Sequence, residues 1–288
     1  MELLLLATAT IAVGVLGCFA WFWGSNFVLD QIYPSHGPEA GDNIRRAATI
    51  RPWLFLGPAI LFLGVYLVYP VINSLWLSLH NSAGTRFVGF DNYHWLGGDA
   101  KFRESLMNNF LWLLVVPALA TAFGLLAAQL TDRLRWGNIG KSLIFMPMAI
   151  SFVGAGVIWK FIYEYREPGT EQIGLLNAVV QGLGGTAQTW LTLQPWNSFF
   201  LMIVLVWIQT GFAMVILSAA LRGIPEETIE AAVLDGASAW QIFFRIKVPQ
   251  IWGTIAVVWT TITITVLKVF DIVFVMTNGQ WGTQVLAN

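Results

Sequence analysis

Long apolar runs alternate with short polar segments along the chain, and the runs define the predicted elements. They cover residues 3–23, 53–79, 110–130, 143–159, 199–221 and 251–269. A helix that crosses the hydrocarbon core of a bilayer needs about 20 apolar residues, and these runs are too long for strands. A closed membrane barrel would show alternating segments of about ten residues instead. The pattern predicts an all-α, polytopic transmembrane helical bundle with six spans.

Composition agrees with a membrane setting and excludes several classes of protein. Apolar residues make up 57% of the 288 residues and charged residues 11%, against about 25% charged residues in soluble domains. The 15 Trp and 20 Phe exclude a disordered chain, which needs few aromatic residues. One cysteine excludes a disulfide framework or a multi-cysteine metal site. A net charge of −1 argues against nucleic acid as a partner.

The distribution of basic residues predicts the orientation, because Lys and Arg are retained in cytoplasmic loops. One side carries Arg45, Arg46, Arg51, Arg133, Arg135, Lys141, Arg222, Arg245 and Lys247. The other side carries Arg86, Lys101, Arg103 and Arg166, with Lys160 and Lys268 at span ends. We therefore expect an external N-terminus and a cytoplasmic connection between the fifth and sixth spans. Six spans then return the chain to the outside at Asn288 without a cytoplasmic tail.

The first run is predicted to remain as a span. A cleaved signal needs a basic segment before its apolar core, and the only early charge is Glu2. The stretch ending at Cys18 is faintly similar to a lipoprotein cleavage box, but the chain stays apolar for several residues beyond it. Packing or lipid contact is therefore the favoured interpretation of Cys18.

Residues 222–250, here called the foot, contain the signals of two short helices. Pro225 fits a first helical position, where no amide donor is needed, and Glu226 and Glu227 then lie at the positive end of the helix dipole. Gly236 allows the backbone to turn at the end of this helix. The sequence predicts a first helix that starts at Pro225 and ends at Gly236.

The second helix of the foot has equally clear ends. Ser238 and Gln241 have the spacing of a capping box. Trp240, Ile242, Phe243 and Ile246 follow as its apolar residues, and Pro249 is expected to stop it. The foot is therefore predicted to be a bent helical pair.

The foot resembles the EAA loop of ABC importer permeases. That pattern reads E-A-A, three residues, G, nine residues, I, one residue, L-P. It is matched by Glu230, Ala231, Ala232, Gly236, Ile246, Val248 and Pro249, with Val248 in place of Leu as the single departure. The alternative, an amphipathic hairpin lying on the membrane surface, does not require Gly and Pro at these offsets.

Other segments extend the resemblance over the whole chain. Residues 87–93, Phe102, Asn108 and Asn109 are similar to the external segment before the third span of sugar permeases, and residues 270–273 and 277–279 to the turn after the sixth. Residues 21–27, 208–214 and 280–283 resemble the alpha-glucoside permease branch. The resemblance implies a type I ABC importer (MetI-like) permease fold. It also implies a first helix and cytoplasmic linker at 1–52, a permease core at 53–288, and a final transmembrane helix that is absent here.

The resemblance also implies how the chain works. Glu230 makes a polar contact in a cleft of an ATPase, while Ala231, Ala232 and Gly236 allow close packing. Asp235, Ile246 and Pro249 complete this coupling loop. The implied partners are a second permease subunit, two copies of an ABC ATPase subunit, an extracytoplasmic sugar-binding protein and the sugar, an alpha-glucoside or related oligosaccharide.

The chain offers no nucleotide site of its own. Residues 137–142 are partly similar to a phosphate loop. That motif needs four residues between its glycines, whereas Gly137 and Gly140 are separated by two. We therefore expect that this chain binds no cofactor and is not an enzyme, and that ATP and Mg²⁺ bind to a partner subunit.

Candidates for the substrate path lie on the fifth and sixth spans, because an uncharged sugar needs hydroxyl partners and aromatic faces. They are Trp207, Gln209, Thr210, Gly211 and Phe212 at mid-span, with Thr261 among Thr260, Thr263 and Thr265 on the sixth. The alternative is structural, since Thr commonly bonds back to its own helix.

Two other functional classes are less consistent with the sequence. An ion-coupled secondary carrier, the main alternative, would use carboxylates or His inside the membrane. A membrane enzyme would need a convergent nucleophile, base or metal set. The six runs contain no Asp, Glu or His, which favours an ATP-driven importer permease in the cell inner membrane.

Overall fold

A computed structural model describes residues 2–132, 134–167 and 169–287. Arg133 and Asn288, on which part of the predicted orientation and chain end depend, lie outside these residues. The described chain is helical and contains no β-strand, and a single bridge joins His80 and Phe87. The prediction of an all-α fold is confirmed.

The helices follow one another with short connections. In chain order they are α1 (Glu2–Ile32), α2 (Ala40–Leu63), α3 (Tyr69–Ser78), α4 (Asp91–Gly98), α5 (Ala100–Thr131), α6 (Gly137–Phe145), α7 (Phe152–Ile162), α8 (Leu175–Gly182), α9 (Asn197–Arg222), α10 (Glu226–Leu234), α11 (Ala239–Gln241), α12 (Val248–Gln250), α13 (Trp252–Leu267) and α14 (Asp271–Thr277). The chain divides into two compact units, Met1–Trp95 and Leu96–Asn288. The division that we expected after residue 52 falls inside α2.

Four of the predicted spans lie in long continuous helical segments. These segments, Glu2–Ile32, Ala40–Ser78, Ala100–Thr131 and Asn197–Arg222, are long and apolar enough to cross a membrane. The fourth and sixth runs lie in bent pairs, Gly137–Ala149 with Phe152–Ile162 and Ala239–Gln250 with Trp252–Leu267. The described chain therefore has four candidate spans, or six when each bent pair is counted as one span.

The fourth run is not the straight helix that its apolar pattern predicts. A 3₁₀ turn at Met146–Ala149 follows α6, and α7 leaves at an angle of 106°. Pro147 lies in the 3₁₀ turn and has no amide hydrogen to continue the α-helical bonds. Ser151 then caps α7 by accepting a hydrogen bond from the Gly154 amide at 3.1 Å. Both residues favour a break, and hydropathy alone does not detect it.

Two π-helical segments precede prolines. Gly64–Val68 lies just before Pro70, and Ile242–Lys247 lies just before Pro249. In a regular α-helix the proline ring would clash with the carbonyl of the residue four positions earlier. In both cases that carbonyl belongs to the wider π-helical segment. Helix therefore continues through Pro249 to the end of α12, and the prediction that Pro249 stops the helix is wrong.

In the first unit, α1 packs against α2 through residues of the aromatic segment 21–27. The Trp21 indole N–H donates to the Leu54 carbonyl at 3.0 Å, and Phe22 stacks on Phe55 with ring centroids 5.1 Å apart. This segment therefore has a packing role within its unit.

In the second unit, α5 and α9 form the centre of the bundle. Gly124 on α5 permits their close approach, because a Cβ atom there would lie 2.4 Å from the Ala213 Cβ and 2.8 Å from the Met214 amide nitrogen. Trp112 and Leu201 are almost fully buried in the same core. Small residues at such crossings are typical of membrane helix packing.

Amides fasten the C-terminal segment to the start of the bundle. The Asn108 side chain donates to the Gly282 and Gln284 carbonyls, each at 2.8 Å, and the Leu286 amide donates to the Asn109 side chain at 2.8 Å. The two asparagines that contribute to the family resemblance thus hold the segment after α14 in place.

Candidate functional site

The foot begins with α10, one residue later than predicted. Pro225 has φ −57° and ψ 132°, so it is the residue before the first turn and not a helical residue. Glu226 and Glu227 occupy that first turn, where their charge favours the helix dipole. The prediction of the helix is confirmed, and its start is corrected.

The end of α10 explains the spacing between the second alanine and the glycine of the EAA pattern. The Ala237 amide donates to the Ala232 carbonyl at 2.9 Å, and the Gly236 amide donates to the Val233 carbonyl at 3.0 Å. Together they form a Schellman cap, which needs a left-handed residue four positions after the first acceptor. Gly236 supplies it with φ +79°.

The capping box of the second helix forms as predicted. The Ser238 amide donates to the Gln241 side-chain oxygen at 2.7 Å, and the Gln241 amide donates to the Ser238 hydroxyl at 3.4 Å. The helical segment Ala239–Gln250 then meets α13 at 70°. Both helices of the foot are therefore fixed by caps as well as by packing.

The foot has one buried face and one exposed face. Ala232 is buried and Ile246 is half-buried, whereas Glu230, Ala231, Asp235, Gly236 and Pro249 are exposed. Large apolar side chains share the exposed face: Leu234 is 87% exposed, Trp240 73% and Phe244 56%. The rings of Trp240 and Phe244 stack 5.4 Å apart. Exposed apolar side chains on a segment that also carries an exposed carboxylate are characteristic of an interaction surface.

An ionic cluster joins the foot to the bundle. Asp132, which follows α5, accepts hydrogen bonds from Lys141 on α6, from the Ser218 hydroxyl at 3.0 Å and from the Arg222 guanidinium at 3.0 Å. Burial alone would raise the pKa of Asp132, but the bonds from Lys141, Arg222 and Ser218 outweigh it and hold the pKa below its usual range. The carboxylate is therefore charged at neutral pH.

The segment 137–142, which is partly similar to a phosphate loop, contributes Lys141 to the same cluster. The Lys141 ammonium also donates to the Ser218 hydroxyl at 2.6 Å. A Cβ atom at Gly137 would lie 2.0 Å from the Thr131 carbonyl oxygen, so this glycine permits a tight turn after α5. These residues have a structural role in the described chain.

A second tie reaches α5 from the π-helical part of the foot. The Lys247 ammonium donates to the Gln129 side-chain oxygen at 3.2 Å. A cleft of about 450 Å³ lies beside it, between the end of α9 and the foot, and Glu226 and Glu230 line it. Movement of the foot would therefore displace the ends of both central helices, α5 and α9.

Gln209 differs from the other candidates on the substrate path. It is 8% exposed, and its side chain forms no hydrogen bond with the residues that the structure describes. An amide has up to four hydrogen-bonding sites, and burying them without partners costs free energy. The hydrogen-bonding sites of Gln209 are therefore unused within the described residues.

The other candidates have partners or packing contacts. The Thr210 hydroxyl donates to the Val206 carbonyl at 2.7 Å, and the exposed Thr261 hydroxyl donates to the Val257 carbonyl at 2.9 Å, so both bond back to their own helices. A Cβ atom at Gly211 would lie 2.6 Å from the Ile144 carbonyl oxygen, which makes this glycine a contact between α9 and α6. Trp207 and Phe212 are half-buried and pack against the core.

One relationship near this path is not evident from the sequence. The rings of Trp159 on α7 and Trp207 on α9 meet edge to face, with centroids 5.7 Å apart. The buried Trp159 indole nitrogen has no hydrogen-bond partner among the described residues, and neither do the Thr121 and Thr263 hydroxyls. The sequence indicates Trp207 because Gln209 and Thr210 interrupt its apolar run, and no such interruption lies next to Trp159 within its own run.

The helical bundle and its capped foot define the class of an ABC importer permease. Residues 103–286 match the family described as "Binding-protein-dependent transport system inner membrane component". The chain belongs to this family and is an inner-membrane transport component. This assignment favours the importer over the ion-coupled carrier.

Individual relatives and solved structures agree. The "Alpha-glucoside transport system permease protein AglF" of Rhizobium meliloti (strain 1021) is 69% identical over 291 residues, covering 100% of this chain and 87% of that protein. The "Osmoprotective compounds uptake permease protein GgtC" of Synechocystis sp. (strain ATCC 27184 / PCC 6803 / Kazusa) is 51% identical over 82% of this chain and 84% of that protein. A bacterial ABC transporter involved in the import of alginate has the same fold, with a TM-score of 0.70, 21% identity, and coverage of 85% and 84%.

Proposed function

We propose that this permease subunit translocates an alpha-glucoside or related uncharged oligosaccharide, driven by ATP that a separate subunit hydrolyses. The high identity to the alpha-glucoside permease supports this substrate class. The second relative is named for osmoprotective compounds, so the substrate class is tested by a direct transport measurement.

The exposed face of α10 carries the proposal for the coupling. Glu230 lies on this face beside Leu234, and Trp240 and Phe244 follow on the next helix. A segment that exposes both a carboxylate and large apolar side chains suits a cleft that pairs the charge and buries the apolar groups. We assign this face to a copy of the ATPase, which binds the ATP and Mg²⁺.

The ties behind the foot provide the transmission. Asp132 with Arg222, and Gln129 with Lys247, link the foot to the ends of α9 and α5. When two ATPase copies close, they would push the foot of this chain toward that of a second permease. A rigid-body change of this kind converts an inward-open bundle into an outward-open one.

The remaining partners follow from the same arrangement. The basic residues of the cluster lie at the end of the bundle that carries the foot, which supports a cytoplasmic foot. The order of spans predicted from the sequence then gives an external N-terminus. An extracytoplasmic sugar-binding protein would meet the opposite end. A second permease would cover part of the α13 surface, on which Thr261 is exposed.

Reconstitution tests the proposal directly. Vesicles that contain this chain, the second permease and the ATPase, with binding protein outside, are expected to accumulate radiolabelled maltose only with ATP inside. The Glu230→Lys complex should not accumulate it. Uptake that runs without ATP and stops when an uncoupler collapses the proton gradient would identify an ion-coupled carrier and reject the proposal.

A further inference from the structure

A cavity of about 540 Å³ opens in the second unit at the end opposite the foot. It lies beside the first turn of α5, and α9 separates the two ends by about 39 Å at a rise of 1.5 Å per residue. Its volume is within the range of about 300–1,000 Å³ that is usual for small-molecule sites. The coupling function described above does not use this cavity.

Aromatic rings form one side of the cavity. Phe270 and Phe274 stack with centroids 5.1 Å apart, and Trp281, which also lines the cavity, is 45% exposed. Trp281 has φ +55°, a left-handed conformation that a bulky side chain rarely adopts. The neighbouring positions with positive φ are Asn278, Gly279 and Gly282. Glycine adopts such a φ without strain, so the turn itself does not require an indole at position 281.

Polar side chains form the other side. The Lys101, Glu104 and Gln280 side chains line the cavity and form no hydrogen bond or ion pair with residues that the structure describes. A Cβ atom at Gly282 would lie 3.0 Å from the Glu104 carboxylate oxygen and 3.1 Å from the Gln194 amide nitrogen. The glycine therefore leaves room for these polar ends beside the rings.

We propose that this cavity, with Trp281 as its stacking platform, is an external binding site for one or two pyranose rings of a neutral sugar. The apolar C–H face of a pyranose fits against an aromatic ring. Its hydroxyls both donate and accept hydrogen bonds, so they can pair with the Lys101 donor, the Glu104 acceptor and the Gln280 amide, which does both. The carboxylate and the ammonium offset each other, which favours a neutral ligand over an acidic saccharide. The site would hold sugar before it enters the path past Gln209.

This inference rests on the proposed function, because it takes the sugar class and the external position from it. Direct binding is measured without the binding protein, by saturation-transfer NMR of maltose with the assembled transporter in nanodiscs. Trp281→Ala should reduce the saturation transfer about fivefold, and Trp281→Tyr should retain most of it, since a ring remains. Trp196→Ala is the matched control, because Trp196 is exposed at the start of α9 and does not line the cavity.

Each outcome separates the site from the function. Loss of maltose binding in Trp281→Ala, with an unchanged melting temperature and normal binding by Trp196→Ala, supports the site. ATP-driven uptake together with undiminished binding in Trp281→Ala overturns the site and leaves the proposed function intact. Loss of binding-protein association with normal maltose binding would make the cavity a protein contact and would also overturn it. Absence of uptake for every sugar tested in the wild type rejects the proposed function itself.

Discussion

Arg222 donates two hydrogen bonds to one carboxylate oxygen of Asp132, from Nε at 3.1 Å and from a terminal nitrogen at 3.0 Å. The two residues are 90 positions apart in the sequence. Asp132 follows α5, and Arg222 is the last residue of α9 and the first residue of the foot. The pair therefore joins the ends of the two central helices at the point where the foot begins.

Asp132→Asn should lower stability through this pair. Hydrogen bonds to charged groups contribute about 1.5–3 kcal/mol, and the Asp132 side chain is only 20% exposed, so a loss of about 2 kcal/mol is expected. Thermal melting of the purified chain measures it. Asp30→Asn is the control, because the Arg51–Asp30 pair is 44% and 64% exposed and such pairs contribute about 1 kcal/mol or less. Equal losses in both variants would contradict a special role for Asp132.

The same carboxylate predicts a dependence on pH. Its folded-state pKa lies below its unfolded value of about 3.9, so the unfolded chain binds more protons in that range. The stabilisation is then complete above about pH 4 and is lost as the pH falls through the folded-state pKa. Melting curves of wild type and Asp132→Asn should differ at pH 7 and converge in acid. A difference that keeps its full size throughout the acid range would exclude this titration as the cause.

Gly236→Ala should weaken the foot. A side chain at φ +79° costs about 1–2 kcal/mol relative to glycine, because the Schellman cap needs a left-handed residue. We expect slower uptake and a weaker association with the ATPase in a pull-down, and Gly236→Trp should be worse. Gly253→Ala is the control: a Cβ atom there meets nothing within 4 Å, and the helix favours alanine. Normal association of the Gly236→Ala variant would show that the cap geometry is not required for docking.

Glu230→Lys should abolish assembly with the ATPase while the chain still inserts into the membrane. The substitution reverses the one charge that lies at the EAA position on the exposed face of α10. Crosslinking and pull-down measure assembly, and recovery in the membrane fraction measures insertion. Glu227→Lys makes the same charge change in the first turn of the same helix and should retain most of the ATPase. Full recovery of the ATPase with Glu230→Lys would remove Glu230 from the coupling contact.

The sequence predicts the local features of this fold and misses those that depend on distant residues. Run length is sufficient to find the candidate spans, and single residues such as Gly236 and Ser238 reveal both caps of the foot, because caps depend on neighbouring backbone groups. The bend after α6 was missed, since hydropathy outweighed the weaker signal of Pro147.

Contacts between residues that are distant in the sequence cannot be predicted from local patterns. The partners of Asp132 and the cavity beside Trp281 lie far apart in sequence, and no periodicity connects them. The opposite charges of Asp132 and Arg222, each following a long apolar run on the same predicted side, are the one signal that could have indicated their pairing.

The effects of Gln209→Leu on melting temperature and on sugar uptake distinguish a substrate contact from a structural one. Its side chain forms no hydrogen bond to any described residue, so replacing it with leucine breaks no bond within the described chain and should leave the melting temperature near that of the wild type. If Gln209 lines the path, sugar uptake should fall at least fivefold while the ATPase remains bound. Thr210→Val is the neighbouring control, because that hydroxyl bonds within its own helix, and its uptake should stay near wild type.

If Gln209 instead joins this chain to the second permease, Gln209→Leu should lower the stability of the complex by about 0.6 kcal/mol, the average for hydrogen bonds between membrane helices, and uptake should be spared. Melting and uptake measured on one preparation decide between the two, and normal uptake would remove Gln209 from the path.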